Sequence, residues 1–188
     1  MAFPRSGTVD TQTYSGTKDF FLATLSATQS ANVGANDHLK FDTIQMQRGG
    51  ASSGAGAASG GSVLLDTATT YSNSDGAASL GRFSLQGGKV YKLTLDPGYF
   101  LFSGATGVIT LSWADVTGTA ATIGNPLNIY TQADASQDGV AGSLTAMFAP
   151  GGSSGNLFLV EARITAVTAL TSIGNTAKGL PIALVETY

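Results

Sequence analysis

The stretch KVYKLTLDPGYFLFSGATGVITLSW, from Lys89 to Trp113, constrains the fold more than any other part of the chain. Three short runs rich in β-branched and aromatic residues are separated by Asp96-Pro97-Gly98 and by Ser103-Gly104-Ala105-Thr106-Gly107. This pattern predicts strand, turn, strand, turn, strand, as a pair of hairpins. In the first run Tyr91, Leu93 and Leu95 alternate with Val90, Lys92 and Thr94, and in the third Ile109, Leu111 and Trp113 alternate with Thr110 and Ser112. Each of these strands therefore has one face for a core and one mostly polar face. The middle run, Tyr99 to Phe102, is apolar on both faces, so both must leave water. With no helix evident to lie on it, the second face is covered either by another copy of the protein or by the inside of one large sandwich.

The 188 residues fit one all-β domain, and a chain of this size buries about 70% of its unfolded surface. No cysteine is present, so no disulfide holds the core, which fits assembly in a reducing cytoplasm. Charged residues make up 11% of the chain, less than half of the usual value of about 25%. So uncharged a surface is covered by hydroxyls and small side chains, or by neighbouring subunits. The net charge of −3 and the scattered basic residues give no reason to expect a nucleic-acid partner. The opening residues MAFPRSGTVDTQ lack the apolar core of a secretory signal, and nowhere do about 18 apolar residues run together as a membrane span requires. A protein that is soluble where it is made, with no membrane partner, is expected.

Taken in order, residues 1–17 read as an extended N-terminal arm, and 18–188 as the folded domain. Lys18 to Leu25 suits a first strand. In Asp37 to Gln47 the apolar phase shifts from Leu39 and Phe41 to Ile44 and Met46, which predicts a bulge or bend. Residues 49–62, GGASSGAGAASGGS, offer no side chain to a core and read as a flexible loop. They lack the Lys-Ser/Thr ending that a phosphate-cradling glycine loop needs. Strands are further expected at Val63 to Leu65, Ala68 to Tyr71 and Leu80 to Leu85, then at Leu127 to Tyr130, Leu144 to Phe148, Asn156 to Ile164 and Leu180 to Val185. A turn is expected at Asn73 to Gly76, a turn-rich segment from Asp115 to Pro126, and a polar loop from Asp134 to Gly142. About ten short strands without an amphipathic helix make an all-β sandwich or jelly roll.

Chemistry is hard to place on this chain. The one histidine, His38, sits beside Asp37 with no nucleophile-elbow text such as G-x-S-x-G elsewhere, and reads as a polar strand-end residue. One imidazole and no thiolate are too few ligands for a transition metal. Asp134, Asp138 and Asp75 offer oxygens for calcium or a carbohydrate, but Asp before Gly is above all a turn signal. Tyr14, Tyr71, Tyr130 and Tyr188 could stack on sugars, yet no spacing brings them together. No catalytic residue, metal or cofactor is assigned, and the protein is not expected to be an enzyme.

The segment FSLQGGKVYKLTLDPGYFLFSGATGVITLSWAD, Phe83 to Asp115, resembles trimeric jelly-roll domains of the complement-component-one-q and tumour necrosis factor type that occur in tailed-phage virion proteins. Asn156 to Ile164 and Leu180 to Tyr188 are similar to the closing strands of that family, so the resemblance spans roughly residues 37–188. It implies a homotrimer packed through apolar faces, with Tyr99, Phe100, Phe102, Phe158 and Val160 at the subunit interface. It also implies a place on a bacteriophage virion, as a capsid decoration or cement protein or a head fibre. There the major capsid protein would be the partner, and the arm residues Phe3, Pro4, Arg5 and Tyr14 would touch the shell. The alternative is the receptor-binding knob of a tail fibre or spike, contacting host surface glycan. A short arm after Met1 favours decoration, since a fibre knob follows a longer shaft. A sandwich-type lectin or glycosidase is the third reading, but no two acids are placed as the carboxylate pair that glycoside hydrolysis needs.

Overall fold

The computed structural model describes residues 19–48, 51–53, 63–65, 81–103, 106–132, 138–140, 142–153 and 156–188. The expected arm, the expected strand at Ala68 to Tyr71, the turn at Asn73 to Gly76 and most of the 49–62 loop lie outside them. The described residues form fourteen strands and no helix. In chain order these are β1 (Phe20–Thr24), β2 (Thr43–Arg48), β3 (Ala51–Ser53), β4 (Val63–Leu65), β5 (Phe83–Gln86), β6 (Tyr91–Asp96) and β7 (Tyr99–Phe102). They continue as β8 (Thr106–Asp115), β9 (Ala121–Gln132), β10 (Asp138–Val140), β11 (Leu144–Phe148), β12 (Leu157–Thr168), β13 (Leu170–Ile173) and β14 (Ile182–Thr187). One sheet runs β11-β6-β14-β1-β2, another β3-β4-β5-β12-β8-β9, and a small third β10-β7-β13. All pairings are antiparallel except β3 with β4. Apart from the hairpin of β8 and β9, the chain from β5 onward changes sheet at every connection, which makes an all-β sandwich with a jelly-roll path.

Between the sheets lies one core. Tyr91, Leu93 and Leu95 of β6 and Ile109, Leu111 and Trp113 of β8 are fully buried, on the faces that their alternation predicts. Phe83 of β5 sits at the centre, with ring centroids 6.2 Å from Phe21, 5.9 Å from Phe41 and 6.1 Å from Trp113. Aromatic contacts of this edge-on kind add to what burial of the rings contributes. The phase shift in 37–47 is a bulge: Leu22 pairs with Met46 but Ala23 with Ile44, leaving Gln45 as the extra residue.

Three expectations are corrected. The strands of Lys89 to Trp113 are present, but they do not form two hairpins, because β6, β7 and β8 lie in three different sheets. Both edges of β6 are taken, by β11 and β14, so β7 has no edge to pair with. Asp96 accepts a hydrogen bond from the Gly98 amide at 3.1 Å, and this turn carries the chain out of the sheet instead of back along it. The turn-rich segment Asp115 to Pro126 is also more regular than expected. Strand β9 begins at Ala121 and absorbs Gly124, Asn125 and Pro126 as a bulge, since Trp113 pairs with Ile123 and Leu111 with Leu127. A bulge is where a strand tolerates proline. Finally, Ala51–Ser53 within the 49–62 stretch forms β3, paired in parallel with β4.

Tyr91 ties β6 to the end of β5, its hydroxyl accepting from the Gln86 amide and donating to the Gln86 carbonyl, both at 3.0 Å. Burial pushes its phenol up to about 12, opposed by the Gln86 hydrogen bond and assisted by the Asp19 carboxylate. The unfolded chain loses this proton near pH 10 and the native state near 12, so native Tyr91 binds it more tightly in between. Stability is therefore unaffected by this group below pH 10 and falls by roughly 2–3 kcal/mol as pH rises from 10 to 12. Urea midpoints across that range should fall more steeply for the parent protein than for Tyr91→Phe. Equal slopes would remove Tyr91 as the cause.

Candidate functional site

Four of the five residues predicted to meet another subunit are buried by the chain itself. Phe100 and Val160 have no exposed surface, Phe102 is 2% exposed and Tyr99 6%. Phe102 lies flat on β8 at Gly107, where an added Cβ would come within 2.2 Å of its ring, and Phe100 joins the main core with Ile109 and Ile173. Phe158 is half-buried with its ring edge-on to Phe148, centroids 6.4 Å apart. Of the two runs apolar on both faces, Tyr99, Phe100, Phe102 and Val160 are thus buried within one chain, while Leu101, Leu157, Phe158 and Leu159 stay half-buried. Phe3, Pro4, Arg5 and Tyr14 lie outside the described residues.

An apolar face left open occurs instead on the outside of the five-stranded sheet. Strand β1 turns Phe21 and Ala23 inward, so Phe20, Leu22 and Thr24 point out, and β14 turns Ala183 and Val185 inward, so Ile182, Leu184 and Glu186 point out. The register sets Leu184, Leu22 and Met46 side by side across three adjacent strands, with Ile182 opposite Thr24 in the next row. Met46 is 58% exposed and Ile182 39%. Between them lies a shallow groove of about 340 Å³ lined by Leu22, Thr24, Gln45, Met46, Leu180 and Ile182. The Lys92–Glu186 ion pair, at 3.7 Å, edges the stripe toward β6. Contiguous exposed apolar surface rimmed by polar groups marks an interaction face. Reading the sequence missed it, although the signal was present: Phe20 to Ala23 and Ile182 to Val185 are themselves apolar on both faces.

On the outside of the other large sheet lies a cluster of charge. Glu161 of β12, 1% exposed, takes a 2.7 Å hydrogen bond from Nε of Arg82, itself 3% exposed. His38 Nδ1 stands 3.5 Å from the same carboxylate oxygen, and Arg163 Nη1 3.6 Å from the other. The geometry comes from register. Where β5 ends, residues 36–39 take over its edge of β12, with Leu39 donating to Ala162 and Ile164 to Asp37, so His38 pairs with Arg163. His38 is therefore a buried member of an ion cluster, not the polar strand-end residue that its sequence context predicts. Arg82 holds one oxygen of the carboxylate, Arg163 stands farther from the other, and the cluster ties the 36–39 segment to the sheet through His38.

Among the described residues, no three His, Cys, Asp or Glu side chains gather as a metal would need. Asp138 lies in β10, while Asp134 and Asp75 fall outside the described residues. In sequence, the chain matches no known family model and no curated protein.

Proposed function

We propose that this protein is a non-enzymatic structural subunit that assembles with copies of itself through the outer face of its five-stranded sheet. The observation that carries this is the apolar stripe of Leu184, Leu22 and Met46, extended by Ile182, which runs unbroken across three adjacent strands. Each large aliphatic side chain of such a stripe gains about 1.5–3 kcal/mol when fully buried by a partner. Assembly as a homotrimer, and a place on a virion surface as a capsid decoration protein bound to the major capsid protein, are what the resemblance of Phe83 to Asp115 implies. The jelly-roll path of the sandwich supports that reading. In it, residues 1–17 serve as the tether to the shell.

Light scattering on the parent protein and on Leu22→Lys/Ile182→Lys tests the assembly. The parent is expected near the mass of three subunits and the double variant near one, with unchanged circular dichroism. A parent that is monomeric at high concentration would sink the proposal. For the virion role, deletion of residues 1–16 should leave the mass per particle at three subunits but abolish binding to empty capsids. A trimer that never binds capsids but binds host surface glycan would replace decoration by the fibre-knob reading.

A further inference from the structure

On the outside of the six-stranded sheet, away from the apolar stripe, is a recess of about 180 Å³ lined by Asn36, Ala114, Ala120, Thr122, Arg163 and Thr165, with Ala121 beside them. Among the described residues, Arg163 is the one charged side chain in its wall. Its guanidinium is poorly used: Nη1 is 3.6 Å from Glu161 and Nη2 is 3.5 Å from the Asn36 side-chain oxygen. Both distances exceed the roughly 2.7–2.9 Å of a charge-assisted hydrogen bond. Glu161 is held at 2.7 Å by Arg82 through its other oxygen. Among the described residues, Arg82 and Arg163 bring two positive charges to the single negative charge of Glu161, and the buried Arg82 Nη1 and Glu161 Oε1 have no hydrogen-bond partner. Asn36 is held at the rim with φ of 72°, an uncommon backbone state that persists where the surrounding structure requires it. Its amide donates to Ile164 at 2.7 Å, which fixes it there.

We infer that this recess binds a small hydroxylated carboxylic acid, of the sugar-acid class, with its carboxylate on Arg163. A planar carboxylate accepts two parallel hydrogen bonds from a guanidinium, and it would neutralise the excess positive charge of the cluster. The Asn36 side-chain amide and the Thr122 hydroxyl line the recess, as does the Thr165 hydroxyl, which donates to the Thr110 carbonyl at 3.3 Å and is left as an acceptor for a ring hydroxyl. The methyls of Ala114, Ala120 and Ala121 offer an apolar floor for the C–H face of a ring. The volume is that of one monosaccharide unit, so a longer chain would project into solvent. The site stands on the opposite sheet from the proposed assembly face and does not depend on assembly.

The test is an NMR titration of the full chain with glucuronate, glucose and acetate. Glucuronate is expected to shift the amides of Ala121, Thr122, Arg163 and Thr165 saturably, with a dissociation constant on the order of 1 mM for a ligand of this size. Glucose should leave them unmoved, and acetate should bind the same amides more weakly. Arg163→Gln should weaken glucuronate binding by at least about tenfold, and Arg163→Lys should recover only part of it, since lysine lacks the fork. Ala120→Phe fills the exposed side of the recess without touching the ion cluster, so it should abolish binding in a normally folded protein. Shifts that do not saturate, an equal response to glucose, or full binding by Ala120→Phe would overturn the site. Acetate binding as tightly as glucuronate would overturn the sugar-acid class.

Discussion

Replacing Glu161 by glutamine is expected to cost about 3–5 kcal/mol of stability, since it removes the one counter-charge that a buried cation has among the described residues. Glu161 and Arg82 are 1% and 3% exposed, and Arg82 Nη1 already lacks an acceptor in the parent. With a neutral amide opposite it, the Arg82 guanidinium would stay buried with no carboxylate within reach, and Arg163 would lose its partner as well. The segment 36–39 that His38 anchors would loosen with them. A double variant, Arg82→Leu/Glu161→Leu, separates two meanings of that cost. Removing both charges should recover most of the loss, because a buried ion pair contributes little beyond what apolar packing of the same volume provides. Urea unfolding of the parent, Arg82→Leu, Glu161→Leu and the double variant gives the coupling directly. A loss below about 1 kcal/mol for Glu161→Gln would mean that water reaches the cluster, as at an exposed pair.

Gly81→Ala is expected to be nearly as damaging, at least about 3 kcal/mol, for a reason that involves no lost contact. Gly81 has φ of +88°, a region that L side chains rarely adopt. The added Cβ would also stand 2.5 Å from the Phe41 amide nitrogen and 2.6 Å from the Leu39 carbonyl oxygen. These are backbone atoms of the segment that lies over β12, so they cannot rotate away as a side chain would. The strain falls where Arg82 enters the charge cluster and Phe83 enters the core. A thermal melt unchanged by the substitution would show that the 39–41 segment is free to move off Gly81.

Much of the fold was legible because its strands alternate cleanly. Tyr91, Leu93 and Leu95, and Ile109, Leu111 and Trp113, point inward as period-two reading predicts. Sheet membership was not legible, because a strand's partners are chosen by which edges remain free across the whole chain. Asp96-Pro97-Gly98 looks locally like a hairpin turn, yet β6 is already flanked by β11 and β14. The same limit hid the open apolar face of the five-stranded sheet. Being apolar on both sides marks four runs in this chain, and only the assembled sandwich shows that it covers Phe100 and Val160 but leaves Leu22, Ile182 and Met46 partly open. The charge cluster was hidden for a further reason. Arg82 and Glu161 are 79 positions apart, and a neighbour relation of that range leaves no periodic trace.

The central place of β14 also governs when the protein can fold. It lies between β6 and β1, pairing with both, so the first strand of the sheet has no route to the middle of its own sheet until Ile182–Thr187 has been synthesised. Closing that contact brings together residues more than 150 positions apart, as the 2.7 Å bond from the Thr24 hydroxyl to the Pro181 carbonyl illustrates. Pairings of such range are slow to form, because loop-closure entropy is spent before they are rewarded. The nascent chain therefore emerges from the ribosome with Phe21 and Leu93 facing a missing neighbour. The sheet can close only after translation has passed residue 187.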